Sequence, residues 1–260
     1  MQNNFVIIHP TAKIAENVEI EPFVTIGENV EIGEGTKIMS HVSIIQNTKI
    51  GKNCRIFPCA VIGADPQDLK FAGEETFVEI GDNNTIRECV TINRGTAARG
   101  KTIIGNKCLI MAYSHVAHDC ALKDNVIMSN AVQLAGEVEI DEFAILGGGA
   151  LVHQFSKIGK HSIIQGGALI NKDIPPYITA AREPITYSGI NSVGLRRRGF
   201  SDEQVTEIQN IYRIIFQSGL NVSSAVARVE TEFAQSDFRD EILNFIKASE
   251  RGILKGTGKS

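Results

Sequence analysis

The chain has 260 residues, 43% of them hydrophobic and 22% charged, with a net charge of −4. That composition suits a soluble globular protein, long enough for one large domain and a small appendage, and the acidic balance argues against a nucleic-acid partner. The opening MQNNFVIIHP lacks a basic segment followed by a long apolar one, and no stretch approaches about 18 uninterrupted apolar residues, so neither a secretory signal nor a membrane span is expected.

From Ile14 the chain reads IAENVE IEPFVT IGENVE IGEGTK. An aliphatic residue opens each hexad, Gly or an acid often follows, and the fifth place is small or β-branched. The beat runs from Ile8 to Ile62, resumes from Ile80 to Ile92, and continues from Ile104 to Ile170. Asn84 is the polar departure at a fifth place. A period of six fits neither a helix at 3.6 nor a plain strand at 2, and predicts a parallel β-helix. First-place residues should point inward and stack into ladders, with branched aliphatics suited to the strands and Gly to the corners.

Two segments interrupt the beat, Ala64–Phe77 (ADPQDLKFAGEETF) and Ala97–Lys101 (AARGK). Excursions from a solenoid commonly sit on its binding face. A plain surface insertion is the competing reading, and the stronger one for the second, shorter segment.

Cys54, Cys59, Cys89, Cys108 and Cys120 form no CxxC pair, which points to small, mostly buried residues in a reducing compartment. The segment YSHVAHDC, residues 113–120, sets His115 in a sixth place and His118 in a third. Both should point out of the coil on either side of the inward Val116. A zinc site would need a third ligand, and His153 and His161 lie several hexads away. Histidine as a general base is the remaining option, with Asp119 able to fix its tautomer; spacing alone leaves that pairing open.

The beat ends near NKDIPPYITA, where Pro175 and Pro176 should stop regular pairing. REPITYSGINSVGLRRRGFS reads as an irregular linker. Ser201 and Gln204 form a capping box for a helix that Gly219 ends. Further helices are expected over about 223–233 and 237–248, and the tail GTGKS should be disordered. The predicted architecture is mainly β: a β-helix over 1–185, then a small α-helical domain over 186–260. From Thr186 on, ten basic and nine acidic residues give +1, against −5 before it, which would favour an acidic protein partner there.

The hexads resemble those of the hexapeptide acyltransferases, which implies a left-handed parallel β-helix with three hexads per coil, an exception to the right-handed crossover rule. A closer resemblance rests on QDLKFAGE, TINRG, HVAHDC, LAGEV, VHQF, DIPPYI and RRRGF, which occur in this order. Together they resemble the UDP-N-acetylglucosamine O-acyltransferase family of lipid A synthesis. That resemblance implies a cytoplasmic homotrimer with active sites between subunits. It also implies a 3-hydroxyacyl donor carried on the phosphopantetheine of acyl carrier protein, and UDP-N-acetylglucosamine as acceptor. No cofactor or metal is implied, because a thioester is already activated. Carried over by position, His118 is the base, Asp119 its orienter and Gly136 the oxyanion-binding N–H. Asp68, Lys70, His115, His153 and Gln154 would contact substrate. Asn191, Arg197 and Arg198 would hold the nucleotide or the carrier, and Gly166 would set acyl length, its small size favouring a long chain. Asn93 and Glu137 depart from the family pattern, which has His at both.

Competing readings are the N-acyltransferase of the same pathway, a small-donor coenzyme A enzyme, a γ-type carbonic anhydrase and a non-catalytic scaffold. The N-acyltransferase carries an extra N-terminal domain, whereas the hexads here begin by Ile8.

Overall fold

The computed structural model describes residues 5–256; residues 1–4 and the tail after Gly256 lie outside it, and with them most of GTGKS. Strands of mostly two residues follow the hexads and pair in three sheets of nine, eight and ten strands, all parallel except for one edge strand of the third. These form the first, second and third faces of a left-handed three-sided β-helix. In-register pairs set the rise of the coil. Ser43 and Ile44 pair with Val61 and Ile62 on the first face, and His115 and Val116 with Gln133 and Leu134.

First-place residues from Ile26 to Ile170 are buried, as the beat predicts. Ile8 is 43% exposed and Ile14 and Ile20 only partly covered, because among the described residues no coil lies beneath the first. Asn84 is 1% exposed and fully engaged: its Nδ2 donates to the carbonyls of Gly81 and Gly105, and its Oδ1 accepts from the Cys108 N–H. A buried amide with three partners loses little of the hydrogen bonding it had in water.

The corners are not built on glycine as expected. The fourth place of nearly every hexad has a positive φ, and Asn fills it at positions 17, 29, 47, 53, 83 and 125. Asn tolerates this region because its short polar side chain bonds locally. Aromatics at the same place stack from coil to coil: Phe23 on His41 at the third–first corner, and Phe143 on His161 on Tyr177 at the second–third corner. Three of the five cysteines, Cys54, Cys108 and Cys120, are buried fifth-place residues.

Two expectations for the C-terminal part need correction. Pro175 and Pro176 only pause the pairing, since Ile178–Ala181 pairs in parallel with Ile163–Ile164. The segment read as an irregular linker holds a strand, Thr186–Ile190, and a short helix α1, Ser192–Arg197. The strand pairs antiparallel with Ile178–Ala181, and Tyr187 in it stacks on Phe216. The divide expected after residue 185 therefore falls between two paired strands. Helices α2 (Asp202–Gln217), α3 (Val222–Glu232) and α4 (Asp237–Lys247) follow. The capping box of Ser201 and Gln204 is present in both directions. The chain then returns, bridging Asp173 with Ile253 and Thr186 with Lys255. None of these helices is long and apolar enough to cross a membrane.

Candidate active site

His118 stands at the third place of the first–second corner. As expected it points out of the coil, yet it is only 7% exposed. The first excursion folds back over it and brings Asp68 Oδ2 to 3.9 Å from its Nε2. From the next coil Gly136 packs against the Cε1 and Nε2 edge of the ring.

Asp119 follows at the fourth place with φ +60° and no exposure. The left-handed turn swings its carboxylate back towards its own neighbour, which a flat strand would not allow. His118 Nδ1 lies 2.9 Å from Asp119 Oδ2. An ionised carboxylate only accepts, so the neutral ring held here carries its proton on Nδ1 and its lone pair on Nε2. The pairing that spacing left open is formed.

The second excursion and the residue just before it hold Asp119. Thr96 donates its N–H to both carboxylate oxygens at 3.0 Å and its Oγ1–H to Oδ2 at 2.6 Å. The Arg99 N–H donates to Oδ1 at 3.2 Å. Neither residue was singled out from the sequence, and the excursion favoured as a surface insertion is part of the site. The available signal was its position, one coil below HVAHDC in the same column.

His115, on the first face, shares a 2.7 Å hydrogen bond between its Nδ1 and Thr91 Oγ1. Burial, and secondarily the neighbouring His118, push its pKa below the usual histidine value. An open groove of about 610 Å³ runs from here along the first face. His115, His118, Gly136, His153 and Gln154 line it, as do Gln67 of the first excursion and the aliphatic side chains of Leu151 and Leu169. Gly136 is buried, and among the hydrogen bonds of the described residues its N–H donates to none.

Five expected site residues, His115, His118, Gly136, His153 and Gln154, thus line one groove, and Asp68 and Asp119 lie against His118. Lys70 is exposed farther along the excursion, its N–H on Asp68 Oδ1. Gly166 lies on the third–first corner, three residues before Leu169. Asn191, Arg197 and Arg198 do not reach this groove in one chain. Asn191 is buried as the N-cap of α1, accepting from Gly194 N–H and donating to the His161 carbonyl. Arg198 lies over the Phe143 ring at the second–third corner, and Arg197 is exposed.

Of the histidines considered as further ligands, His153 is two coils above His118, and His161 is stacked between Phe143 and Tyr177 at another corner. Among the described residues no group of three or more His, Cys, Asp or Glu side chains is placed to hold a metal ion.

Comparison with known proteins supplies the context. A family described as UDP-N-acetylglucosamine O-acyltransferase, domain 2, matches residues 173–254, and one described as the GMPPB C-terminal domain matches residues 2–106. An acyl-[acyl-carrier-protein]–UDP-N-acetylglucosamine O-acyltransferase from Janthinobacterium sp. (strain Marseille) is 50% identical over 96% of this chain and 97% of its own. The crystal structure of a UDP-N-acetylglucosamine acyltransferase from Bacteroides fragilis 9343 is 56% identical, with a TM-score of 0.96 over 98% of this chain and 100% of that one. An Arabidopsis UDP-N-acetylglucosamine acyltransferase has 32% identity and a TM-score of 0.87 over 98% of this chain and 100% of its own.

Proposed function

The chain belongs to the acyl-[acyl-carrier-protein]–UDP-N-acetylglucosamine O-acyltransferase family and is an acyltransferase; on that premise we propose that it moves a 3-hydroxyacyl group from acyl carrier protein to the glucosamine 3-hydroxyl of UDP-N-acetylglucosamine, in lipid A biosynthesis. The observation that carries the reading is His118 with Nδ1 bound to buried Asp119 and its ring lining an open, partly apolar groove.

In this reading Nε2 of His118 takes the proton of the sugar 3-hydroxyl while that oxygen attacks the thioester carbonyl carbon. The carbonyl electrons move onto oxygen, and the Gly136 N–H is the donor available to that charge. Asp119 stabilises the imidazolium. When the tetrahedral intermediate collapses, the C–S bond breaks, and His118 returns the proton to the departing phosphopantetheine thiolate. General-base help of this kind is worth ~10²–10⁴-fold. A thioester is an activated donor, so no step requires a metal or cofactor. Asp68, Lys70, His115, His153 and Gln154 would bind the sugar and the acyl head, and Leu151 and Leu169 would cover part of a long chain.

The site would be completed in a cytoplasmic homotrimer. Leu151 and Leu169 are 46% and 55% exposed on the first face, and Leu109, Ile127, Ile145 and Ile163 form a half-buried aliphatic stripe on the third. Packing the first face of one copy on the third face of the next is a heterologous contact that can close as a ring of three. It would also bring a neighbour's Asn191, Arg197 and Arg198 towards the groove, for phosphate or the acidic carrier.

A thioester-transfer assay over a panel of acyl carrier proteins, with and without UDP-N-acetylglucosamine, tests the reading. Acyl transfer that depends on both substrates and falls at least ~10²-fold in His118→Ala is expected. Full activity in His118→Ala, or stoichiometric zinc essential for turnover, would overturn it.

A further inference from the structure

The second excursion does more than fill out the coil. Arg99 reaches the catalytic corner in two ways. Its main-chain N–H donates to Asp119 Oδ1 at 3.2 Å. Its guanidinium extends past that corner to the coil above it, two coils up from the excursion, where Nη2 donates to Glu139 Oε1 at 2.8 Å and Nε lies 3.8 Å from Glu137 Oε2. Glu137 in turn donates its own N–H to the carbonyl of His118 at 2.9 Å.

These contacts close a ring. From His118 it passes through its carbonyl to the Glu137 N–H, through the Glu137 carboxylate to the Arg99 guanidinium, and along Arg99 to its N–H. From there it runs through the Asp119 carboxylate back to His118 Nδ1 at 2.9 Å. Thr96, the residue just before the excursion, supplies the other donors to Asp119. An excursion of this kind would otherwise be among the least stable parts of a solenoid.

We propose that Arg99 is a positioning residue of the acyl-transfer reaction: its clasp on Glu137 and Glu139 holds the excursion so that Asp119 keeps the His118 imidazole in its working orientation and tautomer. The proposal rests on the acyltransferase reading above. Arg99 touches neither substrate nor reacting atoms in it, and acts through Asp119.

The size of the effect follows from exposure. The side chains of Arg99, Glu137 and Glu139 are 36%, 19% and 41% exposed, so the clasp is screened by water, and a network of this kind is worth up to about fivefold in a rate or equilibrium. The expectation is a modest, selective loss in kcat. Ground-state contacts to the sugar nucleotide are untouched, so KM should stay within about twofold.

The test is steady-state kinetics of the full-length enzyme with acyl carrier protein thioester and UDP-N-acetylglucosamine. The variants are Arg99→Ala, Arg99→Lys, Glu137→Gln and the Arg99→Ala/Glu137→Gln pair. Lys101→Ala is the control, because Lys101 lies in the same segment but pairs with Glu79 on the second face. Expected are a kcat about fivefold lower in Arg99→Ala with KM little changed, partial recovery in Arg99→Lys, and a double variant no worse than the worse single one. Wild-type kcat in Arg99→Ala would overturn the proposal, as would an equal loss in Lys101→Ala, which would mean that any weakening of the excursion suffices. An inactive wild-type enzyme would instead sink the acyltransferase reading, so the two failures are separable.

Discussion

Gly136 lies so close to His118 that a methyl group on its Cα would overlap Cε1 and Nε2 of the imidazole. The contact crosses one coil of the β-helix and fixes both the ring and a main-chain N–H against each other. Glycine is needed here for close approach, since its φ is not among the positive ones.

Gly136→Ala should therefore displace the His118 ring while leaving the coil wound. We expect kcat/KM to fall by about 10²-fold or more, the scale of losing a positioned base, with a melting temperature near that of the parent. Steady-state kinetics and calorimetry on the same preparation check this. An active alanine variant would mean that the ring is free to move aside without cost.

Asp119→Asn separates charge from conformation. Asn is at home at a φ of +60°, so the corner should persist. The amide would, however, present hydrogen to at least one of the donors from Thr96, Arg99 and His118. A loss in kcat of at least about 10²-fold is expected, from the wrong tautomer and an unsupported imidazolium. Unchanged kcat would remove Asp119 from the mechanism.

His161 makes stability depend on acid. Burial first, then the positive charges of Arg198 and Lys160, push its pKa from 6.5 down to about 4. Its Nδ1 is buried without a partner, and the ring is stacked between Phe143 and Tyr177. The unfolded chain therefore binds a proton that the folded chain refuses. This contribution is full above the unfolded value of 6.5 and is lost as pH falls through it towards about 4. Urea unfolding at pH 7, 5.5 and 4 should show a steeper decline for the parent than for His161→Phe. Phe143 one coil below at the same corner, and Phe23 and Phe155 at the other two corners, already occupy this left-handed place. Equal acid slopes in the two proteins would refute the assignment.

Gly166 should set the acyl length. It is exposed three residues before Leu169, which lines the groove, and a side chain added there would meet the carbonyl of Gly148 at 3.0 Å. The parent should prefer donors of roughly C14 or longer, and Gly166→Met should shift preference to shorter chains, each buried methylene being worth ~1–3 kcal/mol of discrimination. Competition between C10 and C16 carrier thioesters measures it. A parent that prefers C10 would contradict the prediction.

The hexad beat is legible because it is local: each first-place Ile is inward whatever its partner, so Ile26 to Ile170 could be placed in the core by counting. The same counting put His115 and His118 outside the coil, and the capping signal of Ser201 and Gln204 located α2. The roles expected of Gly136 and Asp68 came from resemblance, and the structure sets both beside His118. The strand Thr186–Ile190 was missed because its pairing with Ile178–Ala181, and the stacking of Tyr187 on Phe216, are set by tertiary packing rather than by a period.

By itself, then, the sequence determined the repeat, the core ladder and the side of the coil on which the histidines stand, since a six-residue pattern needs no distant partner to be read. Only the tertiary structure decided that His118 is covered, that Asp119 turns back onto it, and that Thr96 and Arg99 hold that carboxylate. Those outcomes depend on a left-handed corner and on hydrogen bonds between residues 20 to 23 positions apart. Such bonds form only once the coils are stacked, because closing the excursions costs chain entropy that no local pattern records.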